Sequence, residues 1–431
     1  MTQSLIDTNS DLIAAIDVGT SKVCTVLARK SKGGFPELIS FSEIPCSGIK
    51  RGNVVDSGAI SDAIRKTIAE IRSDVGIDIK SAYVGITGSH ITYENRVDYF
   101  SSIGQQGVVT LEEVAQIPSM VSKGLHLPGR TIVHSFPIQY AVDGHDGIKN
   151  PVGMHVTGLQ VTTHLITADS YFADKLKETI KMSGVDLKGL VVEPFASSEA
   201  ILTQTEKDIG SAVVDIGGGT TDIVIFKNGS TVYTGTIPVG GFQFTNDVCL
   251  TYNAGFSEAE EAKVKYGNTN LSAIDLTETV PISPIGSSAT IELRRRDLCQ
   301  LMRERAMELI RLIDLKLQQG GLKENPNSIV YITGGASQLP GFYEMAEQFI
   351  PNCVIKRGVP DFLMGITDDL RNPCYSTAIG MVLHAFNVEN SAERRIGMND
   401  SIKSSGFSVS YTHLRAHETR HDLVCRLLLE K

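Results

Sequence analysis

The chain has 431 residues, of which 42% are hydrophobic and 21% are charged, an ordinary balance for a globular protein of two or three domains. Its formal net charge of −9 argues against broad nucleic-acid binding, which requires a basic surface that displaces counterions. The 7 cysteines are scattered, and neither a signal peptide nor an apolar run of about 18 residues occurs, so we expect no disulfide framework, cysteine zinc site, secretion or membrane span.

The first motif is a strand, an acidic glycine turn and a second strand. Leu12–Ser21 reads Leu-Ile-Ala-Ala-Ile-Asp-Val-Gly-Thr-Ser, and Lys22 then opens the apolar run Val23–Ala28. Glycine has no Cβ, so a turn of this kind lets backbone N–H groups approach an anion closely. An acid beside such a turn is suited to hold the waters around a Mg²⁺ that bridges phosphates.

Strands and helices alternate in the pattern that follows. Helices are predicted after the N-cap candidate Asp56 and after the capping box Thr110–Glu113. Gly147–Met154 reads as a glycine and proline turn between short strands. Leu190–Pro194 is predicted to be a buried strand that leads directly into a helix. The helix dipole alone favours a Glu at the start of that helix, where Glu193 lies.

The stretch Val213–Asp222 repeats the first motif and organises the chain. It reads Val-Val-Asp-Ile-Gly-Gly-Gly-Thr-Thr-Asp and leads into the β-rich run Ile223–Phe226. Acid, glycine and hydroxyls recur in the same order, which predicts two homologous lobes whose loops clamp a polyphosphate. A glycine-rich hairpin without a ligand is the alternative. The candidate phosphate-binding residues are Asp17, Gly19, Thr20, Ser21, Lys22, Asp215, Gly217, Gly218, Gly219, Thr220 and Thr221, and Asp17 and Asp215 are the candidates to hold Mg²⁺ through water.

Three further segments carry candidate functional residues. Ser257–Lys265 is predicted to be a capped helix with acids early and bases late. A long amphipathic helix is predicted from Asp297 to about Gln318, and a cluster of arginines at 294–305 is the strongest positive patch of the chain. Ile329–Gln338 is a strand that ends in a glycine pair.

These motifs resemble those of the superfamily of actin, sugar kinases and DnaK-type chaperones. The paired loops match its two phosphate loops, and Ile329–Gln338 matches its adenosine-binding glycine pair, in the same order along the chain. The resemblance implies an α/β, actin-like (ribonuclease H-like) fold of two lobes that binds ATP and Mg²⁺. It implies that Glu193 positions water near the terminal phosphate, with weak or slow ATPase activity. The nucleoside-binding residues that it implies are Glu260, Lys263, Gly334, Gly335, Ala336 and Ser337.

Gly147–Met154 is very similar to a string in the FtsA family of bacterial cell division proteins, which carry an inserted SHS2-type α/β subdomain. This resemblance implies a peripheral protein at the cytoplasmic face of the membrane, at the division septum. There it polymerises through head-to-tail contacts, tethers the FtsZ ring and recruits later divisome proteins. Arg295 and Arg305 match positions that hold the C-terminal peptide of FtsZ, although a solvated basic helix end is the alternative. A scaffold similar to the pilus protein PilM, which has a similar insert, and a small-molecule kinase remain alternative functions.

The resemblance covers about Leu12 to Phe386 and implies a domain order. Its parts are 1–88 (subdomain 1A), 89–167 (1C, the SHS2-type insert), 168–205 (1A), 206–245 (2A), 246–325 (2B), 326–386 (2A and 1A) and 387–431 (linker and tail). Ala378 and Gly380 are expected to let two connecting helices cross closely. Asn387–Phe407 suits a flexible linker, whereas Ser408–Lys431 has no Trp or Phe and departs from the amphipathic membrane helix of the family.

Overall fold

The structure is a computed structural model that describes residues 11–31, 35–104, 107–286, 289–325 and 327–404. The chain separates into two compact units, Met1–Phe386 and Asn387–Lys431. The elements before the second glycine loop are β1 (Leu12–Val18), β2 (Lys22–Arg29), β3 (Glu37–Pro45), β4 (Ile49–Lys50), β5 (Asn53–Val54), α1 (Ser57–Val75), β6 (Ser81–Ile86), β7 (Ile91–Phe100), α2 (Leu111–Lys123), β8 (Arg130–Val142), β9 (His145–Ile148), β10 (Leu159–Asp169), α3 (Ser170–Met182), β11 (Asp186–Val192), α4 (Glu193–Ile201) and α5 (Gln204–Ile209). The later elements are β12 (Ser211–Ile216), β13 (Thr221–Lys227), β14 (Ser230–Ile237), α6 (Gly241–Tyr252), α7 (Phe256–Tyr266), β15 (Thr279–Ile282), β16 (Ile291–Arg294), α8 (Arg295–Gln319), β17 (Ile329–Thr333), α9 (Phe342–Phe349), β18 (Val354–Arg357) and α10 (Ser376–Ser404).

Two five-stranded sheets with the same topology form the centre of the first unit. Their strand orders are β11-β6-β1-β2-β3 and β14-β13-β12-β17-β18. In each sheet three consecutive strands pair as antiparallel hairpins, and two later strands add in parallel on the far side of the first one. The equivalent strand orders confirm the predicted internal repeat.

Two helices lie in the hydrophobic core that joins the sheets. This core includes Ala15 from the first sheet, Val213 from the second, Ala196 from α4 and Val382 from α10. Strands β12 and β13 are buried along almost their whole length, which explains why their sequence is a continuous apolar run rather than an alternating one. The core therefore fixes the two glycine turns, which lie at the ends of the buried strands.

Helices α4 and α10 cross at a very short distance. A Cβ added to Gly380 would lie only 1.7 Å from the carbonyl oxygen of Ala196. Any side chain at position 380 would thus overlap the backbone of α4. This contact confirms that a small residue is required where the two helices cross.

The insert between β6 and α3 is a small α/β body with its own core. Its antiparallel sheet has the order β7-β10-β8-β9, and α2 packs on it through Ile117 and Val121. The predicted capping box is present, because the Thr110 hydroxyl and the Glu113 carboxylate each accept a backbone N–H of the other residue. The insert also contacts the second lobe, since His164 Nε2 lies 2.9 Å from the hydroxyl oxygen of Thr234.

Helices α6, α7 and α8 and the hairpin β15–β16 form the outer part of the second lobe. The buried face of α8 includes Leu298, Met302 and Leu309. This helix begins at Arg295, two residues before the predicted start at Asp297. Arginine is a good helix former and no proline precedes it, so the helix extends toward the hairpin.

The segment expected to be a flexible linker, Asn387–Phe407, is helical as far as Ser404, and its first residue coincides with the boundary between the two units. The second unit begins within α10, and this helix continues to Ser404. The segment contains no proline and includes the strong helix formers Ala392, Glu393 and Arg394. Among the described helices, none contains an apolar stretch long enough to span a bilayer. The prediction for Ser408–Lys431 lies outside the described residues.

The crossing at Gly380 makes a stability prediction. Gly380→Ala should lower the free energy of unfolding by about 3 kcal/mol, because the added methyl group forces two packed helices apart. The matched control is Gly58→Ala in the first turn of α1, where the nearest atom to an added Cβ is Asp56 Oδ1 at 3.3 Å. Thermal unfolding of both variants measures the effect. If Gly380→Ala is as stable as Gly58→Ala, then α4 and α10 do not cross as described.

Candidate functional site

The two glycine turns have the same local geometry. The Gly19 N–H donates to the Lys22 carbonyl at 2.9 Å, and the Gly217 N–H donates to the Thr220 carbonyl at 2.9 Å. Each turn follows an acid at the same position, Asp17 in β1 and Asp215 in β12. The sequence repeat is therefore a structural repeat at the level of individual hydrogen bonds.

The turns face each other across the boundary between the lobes. A Cβ added to Gly219 would lie 2.7 Å from Thr20 Oγ1, and one added to Gly218 would lie 3.2 Å from Thr20 Cβ. No described residue accepts a hydrogen bond from the N–H of Gly218 or Gly219. Two unpaired amides beside hydroxyls form a concave set of donors, which is the arrangement that binds phosphate oxygens.

Asp215 connects the second loop to both crossing helices. Its Oδ2 accepts hydrogen bonds from Ser197 on α4 and from Thr377 on α10, the latter at 2.9 Å. Burial raises the pKa of the Asp215 carboxyl, although these two hydroxyls oppose the rise. Gly334 packs directly against this carboxylate, since an added Cβ would lie 2.3 Å from Asp215 Oδ1. Gly334 also has a φ of +87°, so a side chain at this position would be strained as well as crowded.

Four carboxyl groups converge below the loops. The pKa of Asp17 is raised to about 7 by burial and by the charge of Asp215, and Lys22 opposes the rise. Burial also raises the pKa of Asp222 to about 6, while hydroxyl groups, among them that of Thr236 at 2.6 Å, oppose the rise. Like charges at this spacing disfavour ionisation, and a divalent cation reverses that effect. Within the described residues no group of three carboxyl, histidine or cysteine side chains is placed to bind a metal ion directly.

Glu193 is the fourth carboxyl and lies at the start of α4. Its pKa is raised well above the usual range by burial, and then by the charges of Asp17, Asp222 and Asp215. It borders a cavity of about 10 Å³, roughly the space of one water, which Val18 and Gly85 also line. The side chain is thus placed beside a potential water position at the first glycine loop.

A cleft of about 760 Å³ extends from the loops into the second lobe. Thr20, Ser21 and Gly218 line one end, so phosphate-binding candidates of both lobes share one cavity. This volume is in the range of small-molecule sites. The structure therefore offers one continuous space for a phosphate group and a larger body attached to it.

The candidate nucleoside residues divide into two groups. Glu260, Lys263, Gly335 and Ala336 line the cleft. Lys263 Nζ lies 2.7 Å from Glu260 Oε2 and donates to Thr245 Oγ1 at 3.0 Å, so the pair is fixed to α6 rather than free in solvent. Gly334 and Ser337 do not line the cleft.

Ser337 instead has a structural role within the second lobe. Its hydroxyl donates to the Gly334 carbonyl at 2.7 Å and lies 2.9 Å from the Tyr343 hydroxyl. The side chain is completely buried. These bonds hold the turn that presents Gly335 and Ala336 to the cleft.

Lys22 is less available to a ligand than its position in the loop suggests. Its ammonium is 2.5 Å from Glu43 Oε2 and lies 4.0 Å from the centre of the Tyr375 ring. Part of its charge is therefore balanced within the first lobe. Thr220 and Thr221 are also engaged, because their hydroxyls donate to Asp222 at 2.9 Å and to the Val239 carbonyl at 2.8 Å.

Sequence reasoning missed an aromatic pair in the cleft. Phe242 and Phe256 stack with ring centres 4.8 Å apart and 30° between planes, and both are exposed. They come from the starts of α6 and α7, and no short motif marks them. The sequence offered one indication, which is that the aromatic residue Phe242 directly follows the glycine pair that ends at Gly241.

The two arginines predicted to bind a peptide are already paired. Arg305 makes a bidentate ion pair with Asp247, at 2.6 and 2.9 Å. Arg295 Nη1 lies 2.5 Å from Glu278 Oε2, and its Nε donates to the Tyr266 carbonyl. The positive charge of this patch is thus partly compensated within the subdomain.

The carboxyl cluster makes a pH prediction. Between about pH 4 and 7 the folded protein keeps a proton on Asp17 that the unfolded chain releases, so this group lowers stability as the pH rises. Asp17→Asn removes this ionisable group. Without nucleotide, the variant should melt at a higher temperature than the wild type, and the difference in melting temperature should be larger at about pH 7.5 than at about pH 5. The control is Asp369→Asn on an exposed loop. An excess that is equal at both pH values would show that Asp17 is an ordinary acid.

Comparisons with known proteins identify the family. The model of "Cell division protein FtsA" matches residues 212–380, and that of "SHS2 domain inserted in FTSA" matches residues 88–167. The cell division protein FtsA of Pseudomonas aeruginosa is 29% identical over 404 residues, 92% of this chain and 93% of the relative. That of Bacillus subtilis is 26% identical over 389 residues, 90% of this chain and 87% of the relative.

Solved structures support the fold. A chain of the PilM-PilN type IV pilus biogenesis complex has a TM-score of 0.62 at 16% identity, covering 88% of this chain and 99% of that chain. MreB5 of Spiroplasma citri, solved bound to ADP, has a TM-score of 0.50 at 14% identity, covering 89% of this chain and 98% of that chain. At these identities the likeness concerns the fold alone, whereas both family models and the curated relatives indicate FtsA rather than PilM. The chain has an actin-like fold with an inserted SHS2 domain and belongs to the FtsA family of bacterial cell division proteins.

Proposed function

We propose that the chain binds ATP with Mg²⁺ in the cleft between its lobes. The observation that carries the proposal is the approach of Gly218 and Gly219 to Thr20, which leaves two amides and adjacent hydroxyls around one point. The phosphates lie between the loops and accept hydrogen bonds from the N–H groups of Gly218 and Gly219 and from the hydroxyls of Thr20 and Ser21, while Gly217 shapes the turn. Lys22, which is paired with Glu43, adds positive charge near the phosphates.

The metal and the reaction follow from the carboxyl cluster. Asp17 and Asp215 hold Mg²⁺ through its waters, and the ion would stabilise the ionised form that burial disfavours in both acids and that the charge of Asp215 also disfavours in Asp17. Glu193 positions a water at the small cavity beside the first loop. Burial and the charges of the neighbouring acids raise the pKa of Glu193 well above its usual range, which disfavours its ionised form, so we expect slow hydrolysis.

The nucleoside occupies the second-lobe end of the cleft. Glu260 and Lys263 approach the ribose, and Gly335 and Ala336 allow the base to lie against the backbone. The exposed rings of Phe242 and Phe256 offer an apolar surface to the purine.

We further propose the cellular role that family membership suggests. The protein polymerises, tethers the FtsZ ring to the cytoplasmic face of the membrane at the septum, and recruits later divisome proteins. Within this role, 1C contributes to contacts between protomers and 2B binds the C-terminal peptide of FtsZ, with the domain limits given above. The basic face of α8, including Arg295 and Arg305, supports an acidic partner.

Nucleotide binding is tested at Gly218. Gly218→Val should lower the affinity for Mg-ATP at least about tenfold, because branched methyl groups fill the 3.2 Å approach to Thr20. The control is Gly124→Val, which makes the same substitution at the end of α2, in the insert and outside the cleft. Calorimetric titration measures both. Equal affinities for the two variants would contradict the two-loop site.

Peptide binding is tested by neutralising the two partners of one ion pair separately. Arg305→Gln should weaken binding of the FtsZ C-terminal peptide about fivefold, roughly 1 kcal/mol, whereas Asp247→Asn should not weaken it. Both changes break the same pair, but only the first removes the positive charge. Fluorescence anisotropy with a labelled peptide measures the affinities. Equal losses would mean that the pair only stabilises the subdomain.

A further inference from the structure

The hairpin β4–β5 places the backbone of a cationic residue, Arg51, at the junction of the two glycine loops. Its strands pair Ile49 with Val54 and Lys50 with Asn53, which leaves Arg51 and Gly52 as a two-residue turn. Both turn residues have positive φ, 50° for Arg51 and 79° for Gly52, as a type I′ turn requires.

Arginine is an unusual residue for this position. The first central residue of a type I′ turn is normally Asn, Asp or Gly, because the left-handed conformation is unfavourable for a long side chain. A residue held in that conformation against its preference is often found at functional sites. The turn would form more easily with Asn, so local structure does not explain why Arg51 is present.

The hairpin is fixed tightly to the first lobe. A Cβ added to Gly52 would lie 2.6 Å from Gly88 Cα and 2.7 Å from the Thr87 carbonyl oxygen. Ile49 and Val54, which flank the turn, are each only 6% exposed. The backbone of Arg51 therefore has a defined position.

That position is against the second glycine loop. A Cβ added to Gly219 would lie 3.2 Å from the backbone nitrogen of Arg51, 3.4 Å from its Cα and 2.7 Å from Thr20 Oγ1. The first loop, the second loop and the hairpin thus meet at one point. The Arg51 side chain is exposed and makes no hydrogen bond or ion pair with any described residue, in contrast to Lys22.

The hairpin also indicates which end of a nucleotide it would contact. Gly52 and Ile49 line the small cavity that Glu193 borders. The nucleoside candidates Glu260 and Lys263 lie at the other end of the site, in the second lobe. The terminal phosphate is accordingly the group nearest the hairpin.

We propose that Arg51 is a third phosphate-binding element, whose guanidinium contacts the terminal phosphate of the nucleotide and favours the triphosphate over the diphosphate. The proposal rests on the function proposed above, because it places a phosphate between the two loops. Guanidinium binds phosphate through charge-assisted, often bidentate hydrogen bonds, which Lys reproduces only in part. The hairpin then senses the terminal phosphate directly.

Three variants of the full chain test the proposal by calorimetric titration with Mg-ATP and with Mg-ADP. Arg51→Asn should weaken Mg-ATP binding about tenfold and Mg-ADP binding much less. Arg51→Lys should recover part of the ATP affinity. Lys50→Asn removes the same charge one residue earlier on the opposite side of the hairpin, and should leave both affinities unchanged.

Thermal unfolding separates this role from a structural one. Without nucleotide, Arg51→Asn should melt at the wild-type temperature or above it, because Asn suits the turn better. Three results would each overturn the proposal. The first is an unchanged ATP affinity in Arg51→Asn, and the second is an equal loss of affinity for ATP and ADP. The third is a loss of ATP affinity that accompanies a lower melting temperature and is not recovered in Arg51→Lys. If Arg51→Asn alone fails these expectations, the proposed function stands. If the wild type binds neither nucleotide, the proposed function fails and the assignment of Arg51 fails with it.

Discussion

The burial of four neighbouring acids, Asp17, Asp215, Asp222 and Glu193, is the constraint on which the centre of this structure depends. Each acid is held on an element that the hydrophobic core fixes, so the cluster has no freedom to spread apart. The fold therefore disfavours the ionised form of these groups, at a cost in stability that a bound cation would reduce. Hydroxyl groups from both crossing helices, Ser197 and Thr377, already offset part of this cost at Asp215.

This arrangement links the site to the joint between the lobes. Asp215 belongs to the second lobe, whereas α4 follows directly from the first sheet and α10 returns toward it. The crossing at Gly380 and the hydroxyls that bind Asp215 lie on the same two helices. A change in the charge of Asp215 therefore acts directly on both crossing helices, α4 and α10.

The sequence was most informative where one residue type has a single physical reason to be present. The glycine loops, their strands and the capping box at Thr110 could be predicted because turn and cap chemistry is local. The position of Lys22 could not, since its pairing with Glu43 depends on the register between β2 and β3. The ion pair of Arg305 with Asp247 joins residues 58 positions apart, and the sequence gives no sign of it. Phe242 and Phe256 were missed for the same reason, because only the packing of α6 against α7 brings the rings together.

The contact between the insert and the second lobe restricts how the cleft opens. His164 is completely buried, with Nδ1 2.6 Å from Asn95 Oδ1 and Nε2 2.9 Å from Thr234 Oγ1. Asn95 in turn donates to the Val232 carbonyl at 2.8 Å, and sliding the insert along β14 would leave the buried side chains of His164 and Thr234 unpaired. This contact adds to the hydrophobic core that joins the two sheets, and it lies apart from the helix crossing at Gly380. An opening of the cleft that moves β14 away from the insert therefore has to separate the buried pair His164 and Thr234.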